Sequence, residues 1–544
     1  MEKKKTVIYS IIALVALALL VVGATYAYFQ NQYGSASNAD VKVTTYTTDV
    51  LTFETGSNIS ITAGQDDFAS GKGNKIGQTF ARATLQANNK TNTTTANYYM
   101  YLNIENNTFT YTNTGTPELL LQVIDKTSGN PVTSITGLNY VTVTDGKNTS
   151  ISGFDITDKS GLIALFSSKE ISASPKTIEE YTITITLVNH NFDQNVNTGK
   201  ILNGKLIIQK EKVPSNIADV AKSGDSLVTV LETLGTKGDP SLTGLYHHDS
   251  SLTNGAGDNS YRFAGANPNN YVCFGSDDTT CPTENLYRII GVIDGKVKLI
   301  LADGATTTML GTNEGYAKTY QAAWGSYSSY YKGNGDLTKI GTYKWNKTSD
   351  NTWSTSTTNT INLNTNFLTY LDGKNTKWKN MIADTTWYVG GMTGANGNQS
   401  NAKTVYDYEV GANKDATTTV TSKIGLMYVS DYYYAASKDY WMLPGNKYDN
   451  SNSDNCYGCT MDYRAAINDN WLYIGLSEWT ISRHSDASTN WAFRVYNGGV
   501  VGGDDVGRST GFAVRPSFSL LSSIKFTSGE GTAVNPIRIN LWAH

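Results

Sequence analysis

The sequence predicts a mainly β protein in three stretches: an N-terminal membrane helix, an antiparallel β-sandwich and an α+β body. Three observations predict it. Lys3, Lys4 and Lys5 precede an uninterrupted apolar run over residues 7–29, and roughly 20 apolar residues suffice to cross a bilayer as a helix. The remainder of the 544-residue chain is polar but weakly charged: 17% of all residues are charged, the net charge is −4, and there are 35 tyrosines among many Thr, Asn, Ser and Gly. Thr and Tyr suit half-buried strands, while Asn and Gly suit turns. Short strand-like segments fill residues 39–209 without helical periodicity, and the composition shifts near residue 210, past which lie all four cysteines and all ten tryptophans. Such a length calls for two or three domains. The slightly acidic balance argues against nucleic-acid binding, which needs a basic surface.

The lysines favour the cytoplasmic side, so the rest of the chain is expected outside the cell. Two fates are open for the apolar segment. It is either a retained anchor, being long for a signal core, or a signal removed at the Ala27–Tyr28 bond, where Thr25 and Ala27 supply small residues at −3 and −1. The run Gly23-Ala24-Thr25-Tyr26-Ala27-Tyr28-Phe29 resembles the signal end of camelysin-like and biofilm-matrix fibre proteins of Gram-positive bacteria. That resemblance covers this short region alone and implies cleavage by a dedicated signal peptidase.

In the sandwich region, residues 41–53, 97–104, 118–125, 181–189 and 201–209 read as strands. Tyr181, Ile183, Ile185 and Leu187 alternate with threonines, as a strand with one buried face requires. Asn203-Gly204 is a hairpin-type dipeptide. Many short strands with no helices between them suggest an antiparallel sandwich over residues 39–209. It has no cysteine and must rely on its core; an intramolecular Lys–Asn isopeptide bond, as in some Gram-positive adhesins, is left open and has no location in the sequence.

Pro214-Ser215 then opens a helical pattern in which Ile217, Val220, Ala221, Leu227, Val228, Leu231 and Leu234 recur at three- and four-residue spacing. Gly224 weakens its middle and Gly235 marks a stop, giving a linker helix over residues 214–235. The second body, residues 242–544, holds a strand pair at 286–294 and 296–302 turning at Asp294-Gly295. Short helices are expected at 365–371 and 377–382. Strands are expected at 423–429 and at 491–496, the latter turned by Asn497-Gly498-Gly499. The Tyr/Thr/Asn-rich span 311–356 reads as a long decorated insertion. Disulfides become possible outside the cell, and the simplest pairing is local, Cys273 with Cys281 and Cys456 with Cys459. Other connectivities, free thiols or half a zinc site at the C-x2-C pair remain open.

Towards the C-terminus come Ile424-Gly425-Leu426-Met427-Tyr428-Val429-Ser430-Asp431, then Trp471, then Trp491-Ala492-Phe493-Arg494-Val495, then Gly511-Phe512-Ala513-Val514-Arg515-Pro516. This order resembles the C-type-lectin-like fold of formylglycine-generating enzymes and of variable receptor proteins of diversity-generating retroelements. It is closer still to modules of Gram-positive gut-bacterial surface proteins that end in a similar V-R-P strand. The resemblance covers about residues 242–540 and implies a C-type-lectin-like head. Trp491, Phe493 and Val495 would face a core and Ala492 and Arg494 the other side. Gly511 would allow a tight approach, and Pro516 would end pairing or sit at an edge.

Between these framework segments, residues 477–490 and 498–510 lack apolar periodicity and read as loops. They offer Trp479, Arg483, His484, Asp486, Asn490, Tyr496, Asp504, Asp505 and Arg508 as ligand-binding candidates, because loops on a rigid scaffold concentrate binding residues and aromatics beside short polar groups make adaptable contacts. The plainer alternative is solvated loops.

Enzyme chemistry has little support. Ser482, His484 and Asp486 are adjacent in sequence, whereas a triad is assembled by folding, and no H-E-x-x-H is present. The formylglycine-generating reaction uses a cysteine pair, but Cys456 and Cys459 stand in no matching motif, so that activity is not carried over. Calcium-dependent sugar binding is not supported either: Asn267-Pro268-Asn269 lacks the carboxylate and Asp469-Asn470-Trp471 is a scrambled echo of the partner motif. Asp504 and Asp505 could contribute to a Ca²⁺ site, and His247-His248-Asp249 is a metal cluster or a polar turn. No catalytic residue, metal or cofactor is assigned. The expectation is an exported surface protein, held by residues 7–29 if uncleaved, whose stalk displays a head that binds an extracellular protein or glycan. The alternatives are a subunit of a matrix or pilus-like fibre and, with less support, a formylglycine-generating-type enzyme.

Overall fold

The computed structural model describes residues 49–69, 71–88, 93–398, 400–442, 467–486 and 490–541. They are mainly β, built from antiparallel sheets, and divide into two compact units between Lys212 and Val213. The expected span at residues 7–29 and the start of the expected strand at 41–53 lie outside the described residues. Among the described residues, no helix is long and apolar enough to cross a membrane.

The first unit consists of β1 (Val50–Thr55), β2 (Ile59–Thr62), β3 (Lys75–Gln86), β4 (Thr94–Asn107), β5 (Leu119–Asp125), β6 (Tyr140–Thr144), β7 (Ser150–Asp155), β8 (Gly161–Ala173), β9 (Lys176–Leu187) and β10 (Ile201–Gln209). One sheet has the order β1-β3-β9-β5-β7-β6 and the other β2-β10-β4-β8. The inward residues of both sheets, among them Ala81, Leu102, Leu121, Tyr181, Ile183, Ile185 and Leu206, form one hydrophobic cluster. The alternation read in β9 is what lets Tyr181, Ile183, Ile185 and Leu187 reach that cluster together. Asn203-Gly204 is not a hairpin turn. It lies inside β10, where the register against β4 slips by one residue, a β-bulge.

The second unit opens with a single 3₁₀ turn, Ile217–Asp219, and then the helix Leu227–Lys237. The pattern is therefore broken, and Gly224, at a φ of +95°, lies in the non-helical stretch between the two pieces. Gly235 does not stop the helix. A Cβ there would lie 2.3 Å from the Tyr261 ring, so its role is close approach. Leu227, Val230, Leu231 and Leu234 are buried in the second unit's core, so this helix is part of that core.

The first sheet of this unit runs β11 (Leu245–His248), β12 (Ser260–Phe263), β14 (Leu286–Ile293), β15 (Lys296–Leu301) and β24 (Ser517–Ser519), with β13 (Tyr271–Cys273) also paired to β14. Asp294 and Gly295, at φ +49° and +66°, turn the β14–β15 hairpin as a primed turn demands. The second sheet runs β16 (Tyr316–Thr319), β17 (Gly341–Tyr343), β23 (Phe512–Ala513), β20 (Glu478–Arg483), β21 (Trp491–Val495) and β22 (Val501–Asp505), while β18 (Thr385–Tyr388) and β19 (Thr419–Ser422) pair only with each other. Val514-Arg515-Pro516 carries the chain from one sheet to the other. Gly511, at φ +57°, passes so close to Tyr343 that a Cβ would lie 2.7 Å from its backbone.

Three expectations are corrected. Span 311–356 is framework, not decoration: it supplies β16 and β17 and buries Tyr343, Trp345 and Trp353. Residues 423–429 form no strand, only the bridge Gly425–Ser517 before the helix Val429–Tyr434. The supposed loops 477–490 and 498–510 contain β20 and β22. Cys273 and Cys281 form a disulfide that ties the end of β13 to the chain entering β14. Cys456 and Cys459 lie outside the described residues.

Candidate functional site

The sequence-chosen ligand residues do not form one exposed surface. Trp479 is 1% exposed; its indole N–H donates to the Tyr343 carbonyl at 2.8 Å and its ring meets Phe512 edge-on. It is framework, because β20 is covered on both faces. Arg494, expected to face away from the core, is buried as well. It stacks over Tyr496 at 3.2 Å and Phe512 at 4.2 Å and donates to Asp504 at 2.9 Å. Tyr496 is thus the platform of a buried arginine. Arg508 donates to both oxygens of Asp504, while Asn490 and the Gly507 N–H engage Asp505. Both aspartates of the imagined calcium loop are therefore held by the protein itself. Of the alternating trio, Phe493 and Val495 reach the core, whereas Trp491 is 40% exposed.

Arg483 donates to the Gly390 carbonyl at 2.9 Å, and Asp486 receives the Gly394 N–H. His484 is buried and stacked on Phe493 at 4.1 Å. Neither of its ring nitrogens has a hydrogen-bond partner, and Asp486 stands 3.5 Å away. Burial lowers its pKa and Asp486 offsets only part of that. Ser482 donates to the buried Glu409, not to His484, so no triad forms. His247 stacks on Tyr261 and His248 accepts the Ala256 N–H. Among the described residues no three His, Cys, Asp or Glu side chains gather as a metal site.

What the fold does assemble is a cleft of about 240 Å³ where β13, β14 and the segment entering β20 meet. Its centre is Arg288 of β14, whose guanidinium lies 4.3 Å from the Tyr271 ring and 4.6 Å from the Trp471 ring. Nε donates to Asn270 Oδ1 at 2.7 Å, and the terminal nitrogens donate to the carbonyls of Trp471 and Pro268. Burial lowers its pKa to about 10, so it stays charged at neutral pH. Tyr473 and Lys332 also line the cleft, with the Lys332 amine 5.1 Å from the tyrosine ring. Asn267 and Asn334 also line the space.

Asn267 and Trp471 belong to the two short runs that failed as a calcium-lectin motif, at residues 267–269 and 469–471. The structure brings those runs together through the Gly265–Asn470 bridge. Their chemistry was visible in sequence and their proximity was not, since some 200 residues separate them. Arg288 carried no signal, being one basic residue in an apolar strand. Compared with models of protein families, with curated proteins and with solved structures, the chain matches none of them.

Proposed function

We propose that this chain is an exported, adhesin-like cell-surface protein. Its first unit serves as a stalk and its second as a C-type-lectin-like head that binds a protein or glycan. Residues 7–29 hold it in the membrane, or release it if cut after Ala27. The cleft around Arg288 is the observation that carries the binding reading: a recess on a rigid sheet, walled by Tyr271 and Tyr473, with charged and amide groups converging on it. Ligand sites combine apolar walls with a few placed polar groups in this way. The lectin-like assignment rests on the motif order at residues 424–516. Glycan and protein arrays probed with the full chain test it. Capture of a restricted ligand set, lost in Tyr271→Ala with the fold retained by circular dichroism, is expected. Absence of capture on both arrays overturns the reading.

A fibre subunit is the second reading. β6, with the uncharged sequence Tyr140-Val141-Thr142-Val143-Thr144, is an outermost strand of its sheet, and uncharged β-branched edges invite strand addition. Electron microscopy of the purified ectodomain separates the two: long ordered fibres favour this reading, and monodisperse particles the tethered receptor.

A further inference from the structure

Arg288 is a cation removed from water with no anion beside it among the described residues. Its hydrogen bonds go to an amide oxygen and two carbonyls, which use three of five N–H donors. The rings of Tyr271 and Trp471 offset part of the lost hydration, but a buried charge is strongly favoured only when a counter-charge is near. Lys332 shares the cleft and also has no ion pair among the described residues. Its amine donates to the Ile467 carbonyl at 3.2 Å and to Asn468 Oδ1 at 3.0 Å.

One carboxylate, Asp303, lies on the wall, yet it neutralises neither cation. Its Oδ2 accepts from the Tyr331 hydroxyl and from the N–H groups of Asn334 and Gly335, and its Oδ1 from the Gly304 N–H. Among the described residues the space is lined by two cations and one carboxylate, a surplus of positive charge. Beside it, the side-chain amides of Asn267 and Asn334 are bonded to no described residue.

We propose that the cleft takes the carboxylate of an acidic sugar, a uronic or sialic acid unit of a glycan. Arg288 faces the carboxylate, Lys332 supports it from the rim, and the amides of Asn267 and Asn334 meet hydroxyl groups. The volume of about 240 Å³ matches one sugar ring rather than a folded protein surface. A polyacidic peptide would call for further cations where this cleft offers amides. This inference rests on the binding reading above and narrows its ligand class.

Calorimetric titration of the full chain tests it. The probes are tri-galacturonate and 3′-sialyllactose, each beside a neutral counterpart of like size (maltotriose and lactose), and polyglutamate. At least one acidic sugar should bind about tenfold or more tightly over its neutral counterpart, with affinity falling as salt rises. Lys332→Gln, at an exposed position, should weaken that binding about three- to tenfold and leave the melting temperature unchanged. Equal binding of neutral and acidic sugars overturns the carboxylate inference and leaves the binding reading standing. Equal binding of polyglutamate overturns the sugar assignment. If no probe binds while the arrays return a neutral glycan or a protein, this inference alone fails; if the arrays return nothing, both fail.

Discussion

The Arg515 and Glu478 side chains are each 1% exposed and are joined by two hydrogen bonds of 2.6 and 2.7 Å. Removing one partner strands the other charge in the core, so Arg515→Met should destabilise the second unit by about 3–5 kcal/mol. The double variant with Glu478→Leu should recover most of that loss in urea denaturation. Trp479→Ala should cost about 3–5 kcal/mol, again by urea denaturation, because its ring fills a core position. Acid sensitivity follows from two histidines. Burial lowers His248 to about 3 and lowers His484 as well, below the unfolded value of about 6.5. The unfolded chain then binds protons that the fold refuses. Stability is full above about pH 6.5 and is lost as pH falls toward the folded values, by up to about 1.4 kcal/mol per pH unit for each proton refused. His484→Leu should make the decline between pH 6.5 and 4.5 shallower. None of this was legible at single positions. Trp479 and His484 stand among polar neighbours in sequence and Arg494 between Phe493 and Val495, and only the cover supplied by distant segments buries all three.

At the level of elements, legibility followed how apolar a strand's buried residues are. β9 and the β14–β15 hairpin were readable because one alternates and the other is an apolar pair around a turn dipeptide. β20 and β22 were not, since Glu478-Trp479-Thr480-Ile481-Ser482-Arg483 offers only Trp479 and Ile481 to an apolar face and Val501-Gly502-Gly503-Asp504-Asp505 only Val501. They bury polar groups by bonding them, as the Thr480 hydroxyl does to the Phe493 carbonyl at 2.9 Å. Gly503 is where β22 passes His484, and a Cβ there would lie 2.4 Å from its Nε2. Gly503→Ala should therefore lower the second unit's melting temperature, read by calorimetry. The Cys273–Cys281 bridge closes a loop with a sequence separation of 8. Replacing both cysteines with Ala should cost about 2–3 kcal/mol, measured by denaturation of the full chain beside its reduced form.

At the scale of the molecule, each unit has its own hydrophobic cluster, so each should unfold as its own cooperative step. Calorimetry of the full chain should resolve two transitions, and Arg515→Met should lower one of them. The composition shift near residue 210 made that division visible in sequence; the helix Leu227–Lys237 was misplaced as a linker because its apolar face gives no sign of which core it joins. The crossover at Val514-Arg515-Pro516 has a consequence in time. The Ser517 hydroxyl donates to the Leu299 carbonyl across 218 positions, and β15 has no other outer partner in its sheet. A chain that emerges N-terminus first holds β15 with a bare edge until β24 follows. Closure of this sheet thus waits on the most distant strand ladder within it, and folding dominated by such pairings is slow. During that wait the half-made sheet is the species most exposed to chaperones, proteases and neighbouring chains.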